Sequence, residues 1–232
     1  MSESDQLYVL AQALADPVRL AILQQLMEGP ATVSELQSLT GASQSNVSNH
    51  LALLRERGLV RATREGRQII YTLRDASVGH LVESLTLVAG MVPARVWKSP
   101  QLIAARTCYN HLAGRYGVAI FDALVVAEAI KEPEAMHADV ELGVRGEEVF
   151  GRLGLDLRAL RRERRRFAFA CPDWTERRPH LGGSLGAALW ATCVERGWLT
   201  RQQGTRAIIV TELGRRGLRE ELGVKASLPE GA

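Results

Sequence analysis

Apolar residues return every three or four positions through most of the first ninety residues, so the chain opens as a series of short amphipathic helices. Leu7, Leu10, Ala11 and Leu14 mark one helix in "DQLYVLAQAL", and Val33, Leu36 and Leu39 mark a second, capped by Thr32. Val47, Leu51 and Leu54 mark a third between Ser43, a good N-cap, and Arg57. Gly41 in "TGASQ" supplies the tight corner between the last two. After Gly58 the period shortens, and "LVRAT" and "QIIYTL" flank the turn "REG" as a predicted β-hairpin. A further helix is expected from about Val78 to Gly90.

The polar side of the third helix is unusual. Gln44, Ser45, Asn46, Ser48 and Asn49 share it, and none is charged. Short amide and hydroxyl groups suit base edges, because Asn and Gln pair with adenine and Ser reaches a base or a phosphate. Ser43 leaves the positive helix terminus open to a phosphate. Arg61, Arg64 and Arg67 are expected at or near the tip of the hairpin, a basic wing that would grip the duplex backbone while the helix sits in the major groove. The residues expected to touch DNA are therefore Ser43, Gln44, Ser45, Asn46, Ser48, Asn49, His50, Arg55, Arg61, Arg64 and Arg67.

The order "ALADPVRLAILQQL", "VSELQ", "SQSNVSNHLALLRERGLV" and wing resembles the ArsR family of bacterial winged-helix repressors over about the first 85 residues. The resemblance implies a homodimer whose first helix and post-wing helix pack across a two-fold axis. It also implies an inverted-repeat operator with half-sites about one helical turn apart, and an inducer that weakens DNA binding. Members that sense metals through cysteines in the helix before the reading helix are not matched, since no Cys precedes Cys108. A second family site, on the helix after the wing, would draw on Asp75, His80 and Glu83, but no further His follows on that helix, so His80 reads first as a surface or dimer-seam residue.

At 232 residues the chain is too long for one winged helix. Hydrophobic content of 46% with 24% charged residues lets two parts each bury a core, and the net charge of +3 makes local arginines more informative than the total. The expected division is a DNA-binding and dimerisation domain over 1–90, a linker over 91–105 containing Pro93 and Pro100, and a C-terminal sensor or assembly domain over 106–226. The polar start "MSESDQL" and the absence of an apolar run long enough to cross a membrane lead to the expectation of a cytoplasmic protein. Three cysteines make no disulfide framework.

The C-terminal part is internally duplicated. "HLAGRYGVAIFDALV" from His111 matches "HLGGSLGAALWATCV" from His180, giving repeats of about 108–156 and 177–224, each expected to run helix, extended segment, helix. The second copy also imitates the N-terminal wing, with "ERGWLTRQQGTRAIIVT" from Glu195 lying over "ERGLVRATREGRQIIYT" from Glu56. It reads as a degenerate winged helix whose Gly/Ala-rich helix suits a protein partner better than base edges; Arg201 and Arg206 leave a second DNA contact open. The predicted fold class is mainly α with small β-hairpin wings (α+β): a winged helix-turn-helix followed by two winged-helix-like repeats.

Candidate effector chemistry lies in these repeats. Cys108, His111, Cys171 and His180 would suit a thiophilic metal ion, and an exposed Cys beside Arg177 or Arg178 a redox thiolate, although buried cysteines and backbone-bonded histidines explain the same residues. Trp174 and Trp190 with Arg177 and Arg178 would suit an organic anion, or simply a core. The arginine run "LRALRRERRRF" reads as a solvated face. No phosphate loop, nucleotide-cofactor motif, nucleophile elbow or paired-His helix occurs. A ligand-gated DNA-binding regulator is thus favoured over an enzyme or a protein-interaction module with a borrowed winged helix.

Overall fold

The computed structural model describes residues 2–89, 99–202 and 205–225. Two compact units emerge, Met1–Val96 and Trp97–Ala232, each with its own core.

In the first unit, α1 (Glu3–Leu14) precedes α2 (Pro17–Glu28), whose N-cap Asp16 accepts hydrogen bonds from the Val18 and Arg19 amides with Pro17 at the first helical position. The Arg19 amide does most to hold the Asp16 carboxyl below its usual range. Strand β1 (Ala31–Thr32) leads into α3 (Val33–Thr40), closed at its start by a reciprocal capping box between Thr32 and Glu35. Gly41 then takes the left-handed conformation, φ 68°, that ends α3 and turns the chain toward α4 (Gln44–Glu56). The wing is β2 (Val60–Glu65) and β3 (Gln68–Leu73), followed by α5 (Ala76–Val88). Sheet order is β1-β3-β2, all antiparallel, so the wing gains a third strand that the sequence pattern did not reveal. Ile22, Leu23, Leu36, Val47, Leu51 and Leu54 have no exposed surface, and each such side chain stabilises the unit by about 1.5–3 kcal/mol.

The expected linker is shorter than 91–105. Pro93 lies outside the described residues, and Pro100 does not interrupt a helix but begins one. Helix α6 (Pro100–Ala104) has Ser99 as its cap and buries Leu102 in the second unit; proline is favoured at a first helical position, where its missing N–H costs nothing.

The duplication takes a different form from the helix-first repeat expected. Each copy opens with a β-hairpin. Strands β4 (Arg106–Cys108) and β5 (His111–Ala113) precede α7 (Arg115–Val126); after α8 (Gly146–Arg152) and α9 (Leu157–Arg161), β6 (Phe169–Pro172) and β7 (Pro179–Gly182) precede α10 (Gly183–Glu195). Cys108 and His111 are therefore cross-strand partners on a hairpin, not neighbours on a helical face, and Cys171 and His180 pair in the same way. The repeats reach back to Arg106 and Phe169. A two-residue turn in one hairpin against six residues, Asp173 to Arg178, in the other breaks the sequence match ahead of the histidines. The second copy ends with β8 (Leu199–Arg201), β9 (Ile208–Val210) and α11 (Glu212–Leu222).

The two copies interlock, since α7 packs on β7 and α10 packs on β5. Glycine makes this possible at equivalent places: a Cβ on Gly117 would lie 2.6 Å from the Leu112 carbonyl and 3.4 Å from His180 Cβ, and one on Gly186 would lie 2.1 Å from the Leu181 carbonyl and 3.4 Å from His111 Cβ. The pseudo-two-fold axis thus passes between His111 and His180. Tyr116, Phe121, Leu124, Phe150 and Leu185 anchor the shared core.

Candidate nucleic-acid interface

Helix α4 is buried along one stripe only. Val47, Leu51 and Leu54 face inward, while Ser43, Gln44, Ser45, Asn46, Ser48, Asn49 and Arg55 are all exposed. Ser43 Oγ accepts the Asn46 amide at 3.3 Å and sits 3.1 Å from Ser45 Oγ, fixing the helix start. Ser45, Ser48 and Arg55 fall on one stripe by helical period, interrupted only by Ala52, so the polar surface runs about 15 Å down the helix and ends on a cation. From Gln44 to Asn49 that surface offers donors and acceptors without a carboxylate to repel phosphates.

His50 departs from the expected DNA-facing set. It is partly buried, with Nδ1 3.5 Å from the Arg19 guanidinium and 3.8 Å from the Asp16 carboxylate. Arg19 is itself tied to the Gln12 and Ala13 carbonyls. His50 therefore braces α4 against the cap of α2, and its place on the helix flank beside Val47 and Leu51 gives no spacing that separates it from its exposed neighbours.

The wing also differs in detail. Its turn is Gly66–Arg67, between the paired Glu65 and Gln68, and Arg64 lies within β2 opposite Ile69. Strand alternation sends Arg61 and Arg64 to opposite faces, and Arg61, opposite Thr72, is nearer the base than the tip. All three arginines are exposed, and Arg64 Nε donates to the Gly66 carbonyl at 3.2 Å. Arg67 at the turn is the residue best placed to reach a second groove or the backbone beside it.

On α5, His80 Nδ1 is 3.9 Å from the buried Glu83 carboxylate. Asp75 does not join them; its carboxylate is hydrogen-bonded by Arg74 and by the amide and hydroxyl of Ser77, which bring its pKa down to about 2.

In the second unit the aromatic residues do not assemble into one anion pocket. Trp174 is buried beneath the Arg106 guanidinium, 4.6 Å from the ring centre, and Trp190 lines a cavity of about 20 Å³, the room of one water, with Arg201 above its ring. Arg178 pairs with Asp122 at 2.6 Å on a separate groove of about 520 Å³ that includes Phe121, Val125 and Met136. Arg177 closes the β6–β7 loop in a left-handed conformation. The arginine run folds as one helical turn and a bend, with Arg166 on Asp139 and Arg165 on Glu163. Arg206 turns inward to the Thr107 carbonyl, unlike Arg67.

The four Cys and His residues do come together, and all four are buried, so neither thiol is the exposed redox cysteine considered from sequence. Burial pushes the third thiol, Cys193, up to about 12.

Comparison with known proteins bears on both units. The profile of the arsR family of bacterial regulatory proteins matches residues 16–62, spanning α2 to the start of the wing. An uncharacterized HTH-type transcriptional regulator of Bacillus subtilis, YdfF, is 34% identical over 223 residues, covering 93% of this chain and 96% of its own. The Mycobacterium tuberculosis regulator CmtR is 46% identical over 79 residues, 34% of this chain and 67% of that protein. The repressor SmtB of the same organism is 41% identical over 81 residues, 35% of this chain and 60% of that one. The second unit is thus shared with the Bacillus protein and lies outside the match to the two shorter ones. With a reading helix, an arginine wing and a relative matched almost end to end, the chain belongs to the ArsR family of DNA-binding transcriptional regulators.

Proposed function

We propose that the chain acts as a homodimeric repressor that reads an inverted-repeat operator through α4, clamps the flanking phosphates with the wing, and lets go when an effector occupies the second unit. The observation that carries this reading is the uncharged, exposed Gln/Ser/Asn surface of α4 beside exposed Arg61, Arg64 and Arg67. A pairing surface is supplied by apolar side chains that one copy leaves in water: Leu7 and Tyr8 on α1, and Leu85 and Val88 on α5. These are the two helices that the family resemblance places at a two-fold. Repression is supported by the likeness of the N-terminal unit to SmtB, named as a repressor. An effector role for the second unit is supported by its separate core and by its absence from the matched part of the shorter relatives.

Selection of bound duplexes from a random pool, followed by sedimentation of the complex, tests this. The expected result is an inverted repeat with half-site centres about 10 base pairs apart and two chains per duplex. A site without dyad symmetry, or one chain per duplex, would contradict it.

A further inference from the structure

We propose that the second unit holds one zinc-class divalent ion in a closed Cys₂His₂ site made by Cys108, His111, Cys171 and His180, which staples the two repeats together on their pseudo-two-fold axis.

Each hairpin contributes one Cys and one His as cross-strand partners, so both side chains leave the same face of their ribbon. The interlocked packing turns those two faces toward each other. The two Nε2 atoms are 3.2 Å apart and the two Sγ atoms 4.0 Å apart, and one ligand atom from each residue lies within 4.8 Å of all the others. A tetrahedral zinc-type centre with ordinary bond lengths needs edges of about 3.3 Å between nitrogens and about 3.8 Å between sulfurs. The mixed edges need about 3.6 Å, inside the 4.8 Å that bounds every pair of the four ligand atoms.

The surroundings orient the ligands. His111 Nδ1 is 3.3 Å from Asn110 Oδ1, and His180 Nδ1 faces the Asp173 carboxylate across 3.6 Å. His180 Nδ1 has no hydrogen-bond partner among the described residues, Asp173 being 3.6 Å away, and in the tautomer with hydrogen on both Nδ1 atoms the two Nε2 lone pairs oppose each other at close range in a buried place. A cation shared between them removes the repulsion. Asp173 is itself fixed, taking two 3.0 Å bonds from buried Arg106 and one from the Gly114 amide, in the manner of a carboxylate that steers a metal-bound histidine.

Charge balance supports the same occupant. Each thiol gives up its proton to solvent on binding, so two thiolates, two neutral imidazoles and one divalent ion sum to zero, and loading the buried site adds no net charge to it. Four protein donors leave no open coordination position, so the site is a clip and not a catalytic centre.

The test uses the full chain, purified in reductant without chelator, and needs no operator, so its outcome is independent of the DNA-binding reading. Elemental analysis should find about one zinc per chain, and cobalt(II) added to the chelated, reduced protein should give thiolate-to-cobalt charge-transfer absorption with the intense visible bands of a tetrahedral centre. Cys171→Ser should abolish those bands, whereas Cys193→Ala, outside the cluster, should keep them. Reloading the wild-type protein should raise its melting temperature, a readout that does not require any variant to fold. Reduced wild-type protein with under about a tenth of an equivalent of metal and no cobalt bands would overturn the proposal, as would loss of the bands in Cys193→Ala with retention in Cys171→Ser.

Discussion

The reading helix and its C-terminal imitation are the same length and stand in the same sequence register, yet one faces water and the other is swallowed. Helix α4 buries three side chains along one stripe, whereas α10 buries Ser184, Leu185, Gly186, Leu189, Trp190 and Cys193. Position by position, Val47 becomes Gly186 and Leu51 becomes Trp190, while Ser48 and Asn49 become Ala187 and Ala188. Replacing a branched core residue by glycine lets another element approach to backbone contact, and removing the amides strips the outer face of anything that could read a base. The wings diverge likewise: Arg67 projects from a free turn, and Arg206 bonds to the Thr107 carbonyl. One scaffold thus leaves a polar helix face in water when the helix is buried on one side, and packs into a shared core when it is buried on several.

Leu51→Ala is expected to have the largest effect on α4. Removing a wholly buried side chain from α4 should destabilise the first unit by about 2–5 kcal/mol, seen as a lowered urea midpoint by circular dichroism together with failure to bind DNA. Gly186→Ala strikes the other helix. Its Cβ would meet the Leu181 carbonyl at 2.1 Å, so a destabilisation of about 1–3 kcal/mol is expected in the second unit while duplex affinity is kept. Tryptophan fluorescence reads this directly, because among the described residues every tryptophan, Trp174, Trp190 and Trp198, lies in that unit.

Arg67→Ala should weaken binding to all duplexes alike and lower the slope of log affinity against log salt by roughly one; an unchanged slope would remove the wing from the phosphate grip. The smallest effect expected is chemical: Cys193, whose thiol burial lifts to about 12, should resist alkylation at pH 8 until the chain is unfolded. Labelling of Cys193 in native protein would show that this part of the core opens.

Much of the first unit is legible in the sequence because its signals are local. Thr32 and Ser43 cap the helices that periodicity marks, Gly41 makes the corner, and Val47, Leu51 and Leu54 are the core face. Strand β1 is two residues long and has no period of its own; it exists only because β3 offers it an edge. His50 lies on the flank of α4, where i+3 and i+4 spacing does not decide between solvent and the cap of α2. In the second unit the duplication is readable from His111 and His180 onward, but "TCYNHL" carries too few residues of each strand for alternation to show. Spacing of three between Cys108 and His111 fits a helical face as well as a two-residue hairpin, and tertiary packing settles it as the latter. The separation of Trp174 from Trp190 is equally non-local: one ring lies under Arg106, and the other lines a cavity between the two repeats.

The claim on which the rest depends is that the amides and hydroxyls of α4 read bases, and the most direct measurement is the affinity ratio between a selected operator and a scrambled duplex. For a Ser48→Ala, Asn49→Ala double variant, operator binding should weaken by about 1–3 kcal/mol for each base that the helix can no longer read, with affinity for scrambled DNA unchanged. A ratio equal to that of the wild-type protein, at the same salt, would contradict the account.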